Sequence, residues 1–110
     1  MNIQHKNLAS GRWNELSFVE QMANVGSEVE RCISWKKKQN TAYCSQAFER
    51  ALELLDLTIA APKKKTYLKE LTRLREMLVD YFVFDNSYHS TEKSWHAYFY
   101  AFTFAARLGR

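Results

Sequence analysis

Apolar residues recur every three or four positions through most of this chain, a period that marks amphipathic helices. Phe18, Met22, Val25, Val29 and then Cys32 or Ile33 fall on one helical face. Ser17-Phe18-Val19-Glu20 has the form of a capping box, so a first helix is predicted over 18–38. Gly26 lies beside that stripe, where a missing side chain lets a neighbour approach closely. Cys44, Ala47, Phe48, Ala51, Leu52, Leu55 and Ile59 form a second stripe over 42–60, which Ala61-Pro62 ends. Tyr67, Leu71, Leu74, Leu78, Tyr81 and Phe82 predict a third helix over 63–84. Asp85 to His89 is rich in turn formers, and Ser90 or Thr91 can then cap a last helix over 91–107.

That last segment holds more rings than one face can carry. Trp95, Phe99, Phe102 and Ala106 fall together, with Tyr98 at their edge, while Tyr100, Phe104, Ala97 and Leu108 point the other way. A surface helix normally has one apolar stripe and one polar face. Here the first face suits a core, and the second needs a separate reason.

Four helices of about 17 to 22 residues, each about 25 to 33 Å long, match one another. Connections of a few residues force antiparallel neighbours, so the expectation is all-α: an up-down-up-down four-helix bundle over 17–110. Residues 1–16 read as an irregular N-terminal arm, broken at Gly11, with Leu8, Trp13 and Leu16 as apolar anchors. Such an arm docks on its own domain or reaches a neighbouring subunit. Three glycines and one proline suit long helices better than a turn-rich β protein.

Composition narrows the classes. With 46% hydrophobic and 25% charged residues and no apolar run near the ~20 residues a membrane helix needs, a soluble protein without membrane contact is expected. The start, Met1-Asn2-Ile3-Gln4-His5-Lys6, is too polar for a secretory signal, and Cys32 and Cys44 lack metal-type spacing, which favours the reducing cytoplasm. A net charge of +4 is compatible with an acidic partner or with nucleic acid.

Catalytic patterns are missing. A di-iron bundle needs Glu-x-x-His, and neither His89 nor His96 has Glu three residues before it. No Ser-His-Asp set, phosphate loop or CxxC pair stands out. Cys32, Cys44, Asp85 and His89 lie towards one end of the predicted bundle and could converge on a metal, but two small buried thiols and a loop histidine are the simpler reading. No enzymatic activity, metal or cofactor is therefore expected.

What remains is charge and exposed apolar surface. Arg75 projects from the apolar arc of helix three, where a guanidinium is costly unless paired, and Glu28 or the Tyr98 hydroxyl is the expected partner in a buried polar tie. Lys36-Lys37-Lys38 ends helix one, where the helix dipole favours cations. Lys63-Lys64-Lys65 begins helix three, where the dipole opposes them; with Arg107, Arg110 and Arg12 brought to the same end, they form a candidate polyanion site. Tyr100, Phe104 and Leu108 with Ala97 and Ala101, joined by Trp35 or Leu57, form a candidate protein interface.

The strings Gly11 to Ser17, Glu20 to Val29, Ala47 to Thr58 and Tyr98 to Phe102 resemble a small uncharacterised prokaryotic all-helical family of unknown function, a resemblance that implies no site residues. In architecture and basic charge the chain is also similar to four-helix-bundle accessory proteins of the intervening-sequence and diversity-generating-retroelement type, which form ring-like oligomers and associate with nucleic acid or a reverse transcriptase. Together these point to a non-enzymatic interaction protein, a homo-oligomer or an accessory subunit of a complex that contacts RNA or DNA backbone. The alternative is a direct nucleic-acid-binding module using the basic end and exposed rings.

Overall fold

The computed structural model describes residues 11–61 and 64–109. Its helices are α1 (Phe18–Lys37), α2 (Thr41–Ala60), α3 (Lys65–Phe82) and α4 (Glu92–Leu108), with no strand among the described residues. The chain is an all-α four-helix bundle. The first ten residues of the expected arm lie outside the described part; within the rest, Arg12–Glu15 forms one 3-10 turn rather than irregular chain.

Local chemistry sets the helix starts. Ser17 Oγ accepts the Glu20 N–H at 3.1 Å and Ser17 N–H donates to Glu20 Oε1 at 3.0 Å, which is the expected capping box. Asn40 Oδ1 takes the Tyr43 N–H at the start of α2. Of the two candidates for α4, Thr91 is the cap, with Ser94 returning the bond.

Helix α1 is the centre of the bundle, packed on both α2 and α4. Along α1 and α2 the contacts run in opposite order. Cys32 meets Cys44 at one end, and at the other Trp13, whose carbonyl accepts from Gln21, donates to Thr58. Along α1 and α4, Lys37 pairs with Glu92, Glu30 with His96, and Phe18 with Phe102. Met22, Val25, Val29, Ala47, Ala51, Leu55, Leu71, Leu78 and Phe99 are fully buried between the helices. Gly26 does what its position suggested: an added Cβ would lie 2.8 Å from Cβ of Phe99, so its absence sets how closely α1 and α4 approach.

Helix α3 joins through rings. Phe48 meets Phe82 at 5.2 Å, Tyr81 meets Trp95 at 6.0 Å, and Phe18 stacks on Tyr67 at 4.7 Å. It stops at Phe82, two residues before the predicted end. The buried Asp80 carboxylate accepts the Ser87 and Tyr88 N–H groups at 2.9 and 3.0 Å and folds the chain back. Those bonds hold its carboxyl below the usual range, the Tyr88 N–H being the largest cause. A carboxylate held down in this way stabilises the fold above its unfolded pKa and loses that contribution as pH falls through the folded value. Asp80→Asn should therefore flatten the acid limb of a melting-temperature profile below the ordinary carboxylate pKa of 3.8, and an unchanged acid limb would show that the loop is held by other means.

The central polar tie is not the one expected. Arg75 bonds Asp56 at 2.8 Å on the surface, the two side chains being 40% and 51% exposed. Glu28 is the buried member, and it accepts from Arg31 at 2.8 Å and Arg50 at 3.0 Å. The Tyr98 hydroxyl takes no part. The rotation of α3 aims Arg75 at α2 rather than α1, which only the packed structure fixes. Arg75→Met should change stability by less than about 1 kcal/mol, as for other exposed pairs. Glu28→Ala should cost about 1–2 kcal/mol, because Arg50 keeps some access to water. Urea denaturation of the two variants orders them, and equal losses would contradict this assignment.

Candidate functional site

The outer strip of α4 lies open. Tyr100, Phe104 and Leu108 are 62%, 49% and 71% exposed, and Ala97 and Ala101 between them are exposed too. The Tyr100 and Phe104 rings stack at 6.1 Å, nearly parallel, one turn apart. Phe99, on the opposite side of the same helix, is pinned against Gly26, so the helix cannot roll to bury the strip.

Beside the strip runs a groove of about 780 Å³ between α1 and α4, with Gly26, Glu30, Arg31, His96, Tyr100 and Arg107 in its walls. His96 Nδ1 lies 2.6 Å from Glu30 Oε1, and its Nε2 lies 3.4 Å from Glu92 Oε1. Burial pulls the imidazole down, but the two carboxylates outweigh it and hold its pKa above the ordinary 6.5. A raised histidine contributes stability in full below its unfolded pKa and loses it as pH rises through the folded value. The melting temperature of the wild type relative to His96→Asn should therefore fall as pH is raised above 6.5; a constant difference across that range would mean that the imidazolium pair stabilises nothing.

Two expected members of the strip are elsewhere. Trp35 is half-buried, edge-on to Tyr43 at 4.8 Å with the Lys38 ammonium over its ring at 5.0 Å. Leu57 is partly buried and packs against the hydrophobic core, because α2 is buried on a wider arc than its stripe implied, with Leu54 and Thr58 inside as well. Exposed rings that the sequence did not single out are Tyr43, Phe84 and Tyr88, with Val83 beside them. Phe84, the last residue of the predicted third helix, lies in the turn beyond the end of α3.

The bundle end expected to be basic is assembled around Phe18, which touches both Tyr67 of α3 and Phe102 of α4. Lys64, Lys65, Arg12 and Arg107 are all exposed. Arg107 lies along α1, next to Asn24 and Ser27. Lys63 and Arg110 lie outside the described residues. No side-chain hydrogen bond caps α3 at Lys64, and the exposed Lys64 and Lys65 stand at its amide end. The lysines ending α1 are used differently, Lys36 lying over the Tyr81 ring at 4.5 Å and Lys37 bonding Glu92 at 2.6 Å.

The suggested metal cluster does not assemble. Cys32 and Cys44 come together, Sγ to Sγ at 3.0 Å, and burial pushes the Cys32 thiol up, which keeps it protonated. Among the described residues no three His, Cys, Asp or Glu side chains are grouped to hold a metal ion, and no helix is long and apolar enough to cross a membrane. Comparison with protein-family models, with curated proteins and with solved structures gives no match.

Proposed function

We propose that this protein acts by association rather than catalysis, as a helical bundle that pairs through the outer strip of α4. The observation that carries the proposal is the exposed Tyr100–Phe104 stack, fixed outward by the Gly26–Phe99 contact. Aromatic anchors of this kind dominate the energetics of protein interfaces.

The occupant that fits best is a second copy of the chain. Consider a two-fold axis crossing α4 between Tyr100 and Ala101, with the two helices antiparallel. Phe104 then lies over Ala97 of the second copy, Tyr100 over Ala101, and Leu108 along the Lys93 stem. Every large residue meets a small or flexible one. A stable interface needs about 800 Å² from each partner. A 17-residue helix face of about 25 Å supplies that only together with the adjoining groove walls, Arg31 and Arg107 among them. An accessory subunit pairing with a different chain would use the same strip.

The test is light scattering on wild type, Phe104→Glu and Ala97→Trp, with melting curves to show that each folds. Both substitutions should weaken self-association by about thirtyfold or more, a loss of about 2 kcal/mol, the first by charge and the second by filling the recess that takes Phe104. If neither changes the measured mass, the strip is not the contact.

A second reading draws on the uncapped, lysine-rich start of α3 and the exposed ring of Tyr67 beside it: contact with nucleic-acid backbone, directly or within a larger complex. Its signature is binding to labelled single- or double-stranded nucleic acid that weakens with salt. Binding that is unaffected when Lys63, Lys64 and Lys65 become Gln would rule the basic end out.

A further inference from the structure

The bundle brings two nucleophilic side chains into contact that the proposed association does not use. Cys32 of α1 and Cys44 of α2 are 12 positions apart in sequence, and their Sγ atoms lie 3.0 Å apart. Both are free thiols. The helix ends that carry them are tied together by more than this contact. Trp35, one turn after Cys32, meets the ring of Tyr43, the residue before Cys44, at 4.8 Å. The connection between the helices is hydrogen-bonded, the Asn40 N–H donating to Trp35 O at 2.9 Å and the Tyr43 N–H to Asn40 Oδ1 at 3.0 Å. A disulfide needs its sulfurs about 2 Å apart, so closing this pair takes a movement of only about 1 Å.

We propose that Cys32 and Cys44 form a reversible oxidation site, a dithiol that a peroxide converts to a disulfide fastening α1 to α2 in place. The two thiols differ in access. Cys44 is partly exposed and Cys32 is fully buried, so Cys44 is the member that meets the oxidant. Its sulfur attacks one peroxide oxygen, the O–O bond breaks, and the products are Cys44 sulfenic acid and water. The Cys32 sulfur then displaces the sulfenic hydroxyl, which leaves as water with the Cys32 proton, and the S–S bond forms. Two electrons pass from the two thiols to one peroxide, and a dithiol reductant reverses the change by exchange. Burial keeps Cys32 protonated, and the neighbouring Cys44 sulfur adds to that effect. Once Cys44 is a neutral sulfenic acid, charge on its sulfur no longer opposes ionisation of Cys32, while the Lys36 ammonium still favours it. A buried thiol that is inert alone becomes the resolving partner. In a reducing compartment such a bond is transient, as in redox sensing.

The full chain, reduced and then freed of reductant, is treated with a small excess of hydrogen peroxide and alkylated under denaturing conditions. The mass of the single chain should fall by about 2 Da, for the two hydrogens lost. No thiol should remain to alkylate, and a peptide map should join Cys32 to Cys44. Dithiothreitol should return both thiols. The oxidised chain should melt about 5–10 °C above the reduced one, the gain expected from closing a short loop without strain. Two variants read the order of events. In Cys32→Ala, dimedone should trap a sulfenic acid at Cys44; in Cys44→Ala, Cys32 should remain a thiol, and its labelling would overturn the assigned order. The wild-type readings stand alone if either variant fails to fold. The proposal is overturned if both thiols survive peroxide, or if Cys44 gains oxygen as sulfinic acid instead of losing hydrogen. A bond that forms only between chains, or a linked chain that melts no higher than the reduced one, overturns it as well.

Discussion

Gly26→Val is expected to lower stability by about 3 kcal/mol or more, the upper range for overpacking a filled core. The first added atom decides it. A Cβ on residue 26 would lie 2.8 Å from Cβ, and 2.9 Å from Cγ and Cδ1, of Phe99. Those atoms are the root of the side chain, not a flexible tip, and Phe99 is fully buried, so relief requires α4 to move away from α1. Gly26→Ala brings the same clash but regains about 1 kcal/mol of helix propensity, so its net loss should be smaller. Urea denaturation of Gly26→Val, Phe99→Ala and the double variant isolates the contact. The double variant should be more stable than the sum of the single losses predicts by at least about 1 kcal/mol. Simple additivity would mean that the two residues do not set the helix spacing.

Trp13→Ala should cost about 3–5 kcal/mol, as expected for deleting a large buried ring, with a drop in melting temperature of about 12 °C or more. Trp13 comes from the short 3-10 turn ahead of α1, yet it is as buried as the centre of the core. Its indole N–H donates to Thr58 Oγ1 at 3.0 Å, and its carbonyl accepts from the buried Gln21 amide at 2.9 Å. Thr58 Oγ1 also donates to Leu54 O at 2.8 Å and so keeps one bond without the tryptophan. Trp13→Phe should therefore lose only about 1 kcal/mol for the hydrogen bond plus a modest packing term. If Trp13→Ala melted like the wild type, residues 11–16 would not be part of the folded unit.

How much of this could be read in the sequence follows from range. Features local to one helix were legible: the 3.6-residue stripes, the Ser17–Glu20 box, the role of Gly26, and the Tyr100–Phe104 side of the last helix left over once Trp95 and Phe99 were assigned to the core. Features that depend on how helices are rotated against one another were not. Arg75 could have faced α1 or α2, and it pairs with Asp56, while Glu28 took Arg50 and Arg31. Leu57 is off its own stripe yet reaches the core because α2 is covered on a broad arc. Asp80 carries no sequence mark of the loop it organises, since its partners are backbone amides seven and eight residues on. Tyr98 seemed a partner for Arg75, and only the packed helices leave its hydroxyl, like the Ser90 hydroxyl and the Trp95 indole N–H, buried without a hydrogen-bond partner.

The outer face of α4 is the proposed contact surface. A bundle that buries Phe99 completely while leaving Tyr100, Phe104 and Leu108 open carries an apolar excess along the outer ridge of α4. Pairing two ridges about an axis between Tyr100 and Ala101 covers that excess with side chains already complementary in size. Sedimentation equilibrium of the wild-type chain across a concentration series tests this most directly. Self-pairing gives a mass that rises towards twice the 13.0 kDa of one chain and returns to the single-chain value in Phe104→Glu. A wild-type chain that remains at the single-chain mass at every concentration would contradict self-pairing.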